Sequence, residues 1–224
     1  VPVVFYGFEN INQMPPWGWL RTDGLSVLTS VLRKAARYYL FDRGLQSLRK
    51  KLVSGGLVSY TECAEVINRT GWQVPLREQW WGVDTGLFRR AVVAKTGRPA
   101  EWAVLPDSKV IGFVGRFVPG KGVMDLLQAL VALGSEYTLV CIGGGPQESD
   151  LRQAAIALGV DARLRILPPI PAAMLAKHIA AMDVLALPSR TERFWKEQYG
   201  RVLVEAMAAG VPVVATEVGG VVDI

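Results

Sequence analysis

From Val110 to Thr216 the chain repeats one pattern: continuous apolar stretches of four to eight residues, separated by helical segments of about ten. The stretches are Val110–Phe117, Tyr137–Ile142, Leu164–Leu167, Val184–Leu187 and Pro212–Thr216. None alternates apolar with polar residues, so each is expected to be a strand buried on both faces. That environment is supplied by a parallel sheet with helices on either side. The intervening segments predict helices over Val123–Gly134, Glu148–Gly159, Pro171–Met182 and Val202–Ala209, with Gly159 in the usual stopping position. Right-handed crossovers then make this half a doubly wound, Rossmann-like domain.

Two segments of that half carry chemistry. GRFVPGKG, Gly115 to Gly122, is a glycine-rich turn with Arg116 and Lys121 at the C-terminal end of a strand, where ligands of open α/β sheets bind. The cations can neutralise a diphosphate and steady it as it leaves, while Gly120 and Gly122 allow close backbone approach. An ordinary strand–helix turn with two solvated cations would read the same. The second segment, RTERFWKEQYGRVLVEAMAAGVPVVATEVGG, runs from Arg190 to Gly220 and sets Glu197 and Glu205 with seven residues between them. Glu197 precedes a helix N-terminus, where it can accept hydrogen bonds from sugar hydroxyls, with the amides of Gln198, Tyr199 and Gly200 beside it. It reads equally as an acid of a first helical turn. Glu205 sits among Val202, Leu203, Val204, Ala206 and Met207, where a carboxylate is costly unless paired. A ribose diol would pair it; a partly exposed position is the alternative. Cations with flexible backbone suit phosphate and two acids suit hydroxyls, so the pair of segments describes a pocket for a sugar joined to a diphosphate.

Other features are less informative. Gly143, Gly144, Gly145 and Pro146 end the second strand, but they do not form a G-x-G-x-x-G fingerprint and are compatible with a plain turn. His178 lies away from every motif and reads as a surface or satisfied residue. No Asp-x-Asp occurs, so no metal-held diphosphate and no cofactor are expected.

The first half is looser and differently composed. Residues 1–110 carry 15 Lys+Arg against 9 Asp+Glu, whereas residues 111–224 carry 10 against 11. Six of the seven tryptophans fall at or before Trp102, so two domains are expected. Much of the excess charge lies in Arg33, Lys34, Arg37, Arg43, Arg49, Lys50 and Lys51, on a segment with a rough helical period. A basic amphipathic helix can lie on an anionic membrane, and a solvated helix face accounts for it as well. No nucleic-acid module is recognisable. Leu57–Tyr60 predicts a strand and the residues from Thr61 or Glu62 through Thr70 a helix; QVPLREQWWGVDTGLFRR reads as irregular, and Ala91–Pro106 as a polar connector. No run of about 18 apolar residues and no leader segment appear. Cys63 and Cys141 lie far apart in apolar segments, as reduced thiols of a cytoplasmic protein would. Val1 opens on a strand without an initiator Met and Ile224 stops after a Gly-Gly turn, which reads as a fragment cut at both ends.

GRFVPGKG, then VCIGGGP, then LPSRTERFWKEQYGRVLVEAMAAGVPVVATEVGG resembles the retaining glycosyltransferases of family 4 over nearly all of residues 110–224. LVSYTECAEVINRTGW and WWGVDTGLFRR look like the end of that family's acceptor-side domain, and FYGFENINQMPPW like a piece nearer its middle. The resemblance implies a GT-B fold: two Rossmann-like domains with parallel sheets, the first incomplete here. It places residues 1–90 in the acceptor-side domain, residues 91–107 in an interdomain linker and residues 108–224 in the donor domain. It implies transfer from a nucleotide-diphosphate sugar to a carbohydrate or glycolipid hydroxyl, with retention of configuration and without metal. The donor phosphate, rather than a protein carboxylate, would assist the incoming hydroxyl. Glu197, Arg116 and Lys121 would be catalytic; Gly115, Gly120, Gly145, Pro146, Gln198, Tyr199, Gly200 and Glu205 would hold the donor. Polysaccharide or glycolipid assembly at the cytoplasmic membrane face is the implied setting, with the chain as given inactive. A nucleotide-binding module without turnover and another GT-B enzyme, such as a nucleotide-sugar epimerase, are the alternatives.

Overall fold

The structure, a computed structural model, describes residues 3–6, 53–69, 74–93, 97–192 and 195–224. The expected basic helix around residues 25–51 lies outside them. The chain divides into two compact units, Val1–Trp80 with Asp223, and Trp81–Val222 with Ile224.

In the first unit β1 (Val3–Tyr6), β2 (Val53–Val58) and β3 (Leu76–Glu78) form a parallel sheet in the order β1-β2-β3, and α1 spans Thr61–Arg69. β2 begins four residues before the expected strand. Gly55 and Gly56 belong to it because the neighbouring segment approaches closely: the Gly56 amide donates to Pro75 O at 2.9 Å. Val58, Tyr60 and Cys63 are buried together beside Ile67 and Leu76.

The second unit holds α2 (Thr85–Val93), β4 (Lys109–Arg116), α3 (Val123–Ala132), β5 (Tyr137–Gly144), α4 (Glu148–Ala157), β6 (Leu164–Leu167), α5 (Ala172–Ala180), β7 (Val184–Leu187), α6 (Arg201–Ala208) and β8 (Val213–Ala215). Its five strands are all parallel, in the order β6-β5-β4-β7-β8. One sheet face, with Phe113, Leu139 and Cys141, packs on Leu127 and Leu130 of α3 and Leu151 of α4. The other, with Val110, Val140, Ile142 and Leu185, packs on Ile179 of α5 and Leu203 and Ala206 of α6. Both faces are covered, which is why these strands show no polar alternation. The α/β architecture with parallel sheets is therefore as expected.

The division between units differs from the expected one, in which residue 90 ended the first domain and 91–107 formed a linker. The segment expected to be irregular contains β3 and α2. Asp84 caps α2, its Oδ1 accepting from the Leu87 amide at 2.9 Å, and Phe88 and Ala91 bury in the second unit's core. The connector is stitched to that unit as well. Arg98 pairs with Asp183 at 2.7 Å, and Arg165 donates to the carbonyls of Trp102 (2.7 Å) and Ala103 (3.0 Å). Trp102 is wholly buried, and its Nε1–H donates to His178 Nδ1 at 2.8 Å.

An indole N–H can only donate, so His178 Nδ1 is the acceptor and Nε2, 3.1 Å from Glu101 Oε1, carries the proton. Burial holds the imidazole below its usual 6.5, with Glu101 opposing. The folded state prefers neutral His178. Its contribution is complete above the unfolded pKa and is lost as pH falls through the depressed folded one. His178→Asn keeps an acceptor for Trp102 without a titration. Its melting temperature is expected to fall less than the parent's between about pH 8 and about pH 5. Parallel curves would remove His178 from the acid response.

Among the described residues no helix is long and apolar enough to cross a membrane.

Candidate functional site

From β4 the sheet grows one way, through β5 to β6; from β7 it grows the other way, to β8. The crevice outside the C-terminal ends of β4 and β7 is therefore the topological switch point, the general ligand position in open α/β sheets. The chain after β4, Phe117 to Gly122, and the chain after β7, from Pro188 onward, meet there. Gly122 has φ 69°, and a Cβ at that residue would lie 2.0 Å from Pro188 O, so only glycine fits. The Arg190 amide donates to Gly120 O at 2.8 Å, and the Arg190 guanidinium grips Asp125 in α3, with Nε to Oδ2 at 2.6 Å. The Thr216 hydroxyl donates to Ser189 O, and the Gly220 amide to Glu197 O at 3.0 Å.

At the centre Lys121 Nζ lies 2.5 Å from Glu197 Oε2, and the Ser189 hydroxyl donates to the same oxygen at 2.8 Å. Ser189 is 1% exposed and Glu197 6%, so this carboxylate is out of water and its charge is met by a charge-assisted pair. Among the described residues Glu197 Oε1 accepts no hydrogen bond. Trp195 covers the pair's outer side: Lys121 Nζ is 5.3 Å from its ring centroid, and a Cβ on Gly120 would strike that ring at 2.5 Å.

α6 begins at Arg201, with Gly200 as N-cap at φ 75°. Glu205, one turn on, is largely buried, and Arg201 Nε reaches its Oε1 at 3.1 Å. Burial raises the Glu205 carboxyl above its usual 4.5, and Arg201 pulls it back. The expected need for a partner is thus met by the same helix. Tyr199 is buried, and its hydroxyl donates to Trp81 O at 3.1 Å.

Lys121, Glu197, Tyr199, Arg201, Glu205 and Trp81 border a cleft of about 340 Å³. Of the residues singled out from sequence, Gly115, Lys121, Glu197, Gln198, Tyr199, Gly200 and Glu205 line it. Four do not. Arg116 is exposed at the end of β4, Gly120 is buried beneath Trp195, and Gly145 and Pro146 are exposed. Gly145 instead packs on the turn after β4, a Cβ there meeting Phe117 O at 2.5 Å. Gly143 and Gly144 extend β5, paired with Gly115 and Arg116, rather than forming a turn. Sequence reasoning missed Ser189, Trp195, Arg201 and Trp81. Arg201 was legible from its i,i+4 spacing to Glu205; the other three had no local signal. Among the described residues no three His, Cys, Asp or Glu side chains group so as to hold a metal ion.

The model of the family described as Glycosyl transferases group 1 matches residues 98–224. The D-inositol 3-phosphate glycosyltransferase of Segniliparus rotundus is 38% identical over 146 residues, covering 62% of this chain and 31% of that protein. The protein of the same name from Corynebacterium efficiens is 36% identical over 149 residues, with 62% and 34% covered. The chain thus matches about a third of the length of these relatives. Among solved structures, Anabaena Alr3699/HepE in complex with UDP and glucose aligns with TM-score 0.69 at 22% identity, over 99% of this chain and 54% of that one. Sucrose-phosphate synthase from Thermosynechococcus elongatus aligns with TM-score 0.58 at 24% identity, over 78% and 44%. At these identities the structural matches speak for the fold.

Proposed function

The chain belongs to the glycosyl transferases group 1 family, and on that premise we propose that it serves a retaining transfer of a sugar from a nucleotide-diphosphate sugar to a hydroxyl acceptor. The observation that carries this reading is the Lys121–Glu197–Ser189 cluster at the switch point, in one cleft with Glu205. A half-buried ammonium beside a glycine-rich turn suits a leaving diphosphate, and Arg116 at the strand end adds charge along its approach. Glu197 keeps Oε1 for a hydroxyl of the transferred sugar, while Lys121 and Ser189 hold Oε2 and fix the carboxylate's orientation. Glu205 accepts from the ribose diol, with Arg201 keeping it ionised. These groups bind and orient, and none stands as a nucleophile; as the family resemblance implies, the departing phosphate assists the acceptor hydroxyl. The acceptor is a carbohydrate, glycolipid or other polyol hydroxyl, and the relatives named for an inositol phosphate fit that class. Cytoplasmic work in polysaccharide or glycolipid assembly, with contact to an anionic membrane, belongs to the same reading.

The reading includes independence of metal, because Lys121 supplies the charge a divalent ion otherwise would. UDP and GDP titrated into the chain, with and without EDTA, test it. One of the two is expected to bind equally well in both conditions. Binding that vanishes with chelator would overturn the metal-free part, and absence of any nucleoside diphosphate binding would overturn the site.

A further inference from the structure

Trp81 lines the cleft and has no role in the groups described above, and it is 53% exposed. Its backbone is anchored. The buried Tyr199 donates its hydroxyl to the Trp81 carbonyl at 3.1 Å, and three residues on, Asp84 caps α2, which packs against α5 and α6. Tyr199 belongs to the segment that carries Glu197, so the Trp81 backbone and the acid pair share one framework.

Single exposed tryptophans are ordinary. This one borders a concave site whose other functional groups are two carboxylates, an ammonium and a guanidinium. A pyranose ring matches that combination: hydroxyls around its rim for the charged groups, and C–H faces that need an apolar plane. Tryptophan offers that plane with two side-chain torsions to order, and an anchored backbone lowers the ordering cost further. We propose that Trp81 is the platform on which a pyranose ring stacks, and hence a specificity-determining residue of the transfer. This rests on the reading given under Proposed function. The ring belongs either to the donor or to the acceptor, and the two sources separate in experiment.

Trp81→Ala and Trp81→Phe are compared with the parent chain by calorimetric titration of UDP, UDP-glucose, GDP and GDP-mannose. A half-exposed residue contributes little to the core, so melting temperatures should stay close to the parent's. If the donor ring stacks, Trp81→Ala weakens the bound sugar nucleotide by roughly three- to tenfold, leaves the bare nucleotide unchanged, and Trp81→Phe recovers most of the loss. If the acceptor ring stacks, both nucleotide affinities stay level, and the same loss appears for methyl α-D-glucopyranoside titrated into the nucleotide-saturated chain. Unchanged affinity for every sugar-bearing probe, with nucleotide still bound, overturns the platform alone. A parent chain that binds no nucleoside diphosphate overturns the reading beneath it.

Discussion

Lys121→Met is expected to lose stability and turnover together. Glu197 is 6% exposed, and its charge is answered by Lys121 at 2.5 Å and by a neutral hydroxyl from Ser189. Removing the ammonium leaves a buried carboxylate with a single neutral donor. Breaking a buried pair from one side costs about 3 kcal/mol, the lower end of the usual range, because the Lys121 side chain still reaches water. In a protein that restores the rest of the transferase, turnover is expected to drop by roughly 10²–10³, the usual effect of deleting one preorganised group at a developing charge. Arginine is a poor substitute: its planar fork demands a geometry that a site shaped around a compact ammonium under Trp195 does not offer. The double variant Lys121→Met, Glu197→Gln separates the two effects, since it removes both charges. Its denaturation midpoint should return toward the parent's while donor hydrolysis stays low. A single variant of parental stability would mean that the ion pair does not organise the site. A double variant of parental turnover would mean that the cation plays no part in diphosphate departure.

The second unit was readable in sequence because its strands are bounded sharply. β6 and β7 have the limits expected, Leu164–Leu167 and Val184–Leu187, each closed by a proline that cannot donate to a ladder. The packing of residues 97–103 is not legible in sequence, because their local composition is polar and their structure is decided at long range. One fully buried indole, Trp102, finds its acceptor on His178, 76 residues away in the chain. The same limit applies to the site. Lys121 and Glu197 were each visible as single residues, but their pairing spans 76 positions and depends on which strands lie side by side. Arg116 and Lys121 looked equivalent in one turn; the path of the chain after β4 brings Lys121 into the cleft and leaves Arg116 exposed. Side-chain direction in a loop has no period, so it could not be read from spacing.

The two carboxylates are expected to fail in different ways when neutralised. Glu205→Gln keeps the shape of the side chain but replaces a charged acceptor with a neutral one. Charge-assisted hydrogen bonds are worth about 1.5–3 kcal/mol, so nucleotide affinity should fall by roughly one to two orders of magnitude. Glu197→Gln should lower turnover more than affinity, because contacts to the sugar that tighten as the glycosidic bond breaks count only in the transition state. The pH dependence gives a second test of Glu205. Burial raises its pKa and Arg201 opposes that rise, so affinity should decline as pH falls through the raised value. In Arg201→Gln burial acts unopposed, and the decline should begin at a higher pH. Nucleotide affinity, turnover and melting temperature measured on all three variants decide the assignment. A Glu205 that merely fills space would change the melting temperature without the affinity loss and without the Arg201-dependent shift. Well-folded variants with unchanged affinity and unchanged turnover would remove both acids from the site, leaving Lys121 with only a structural partner in Glu197.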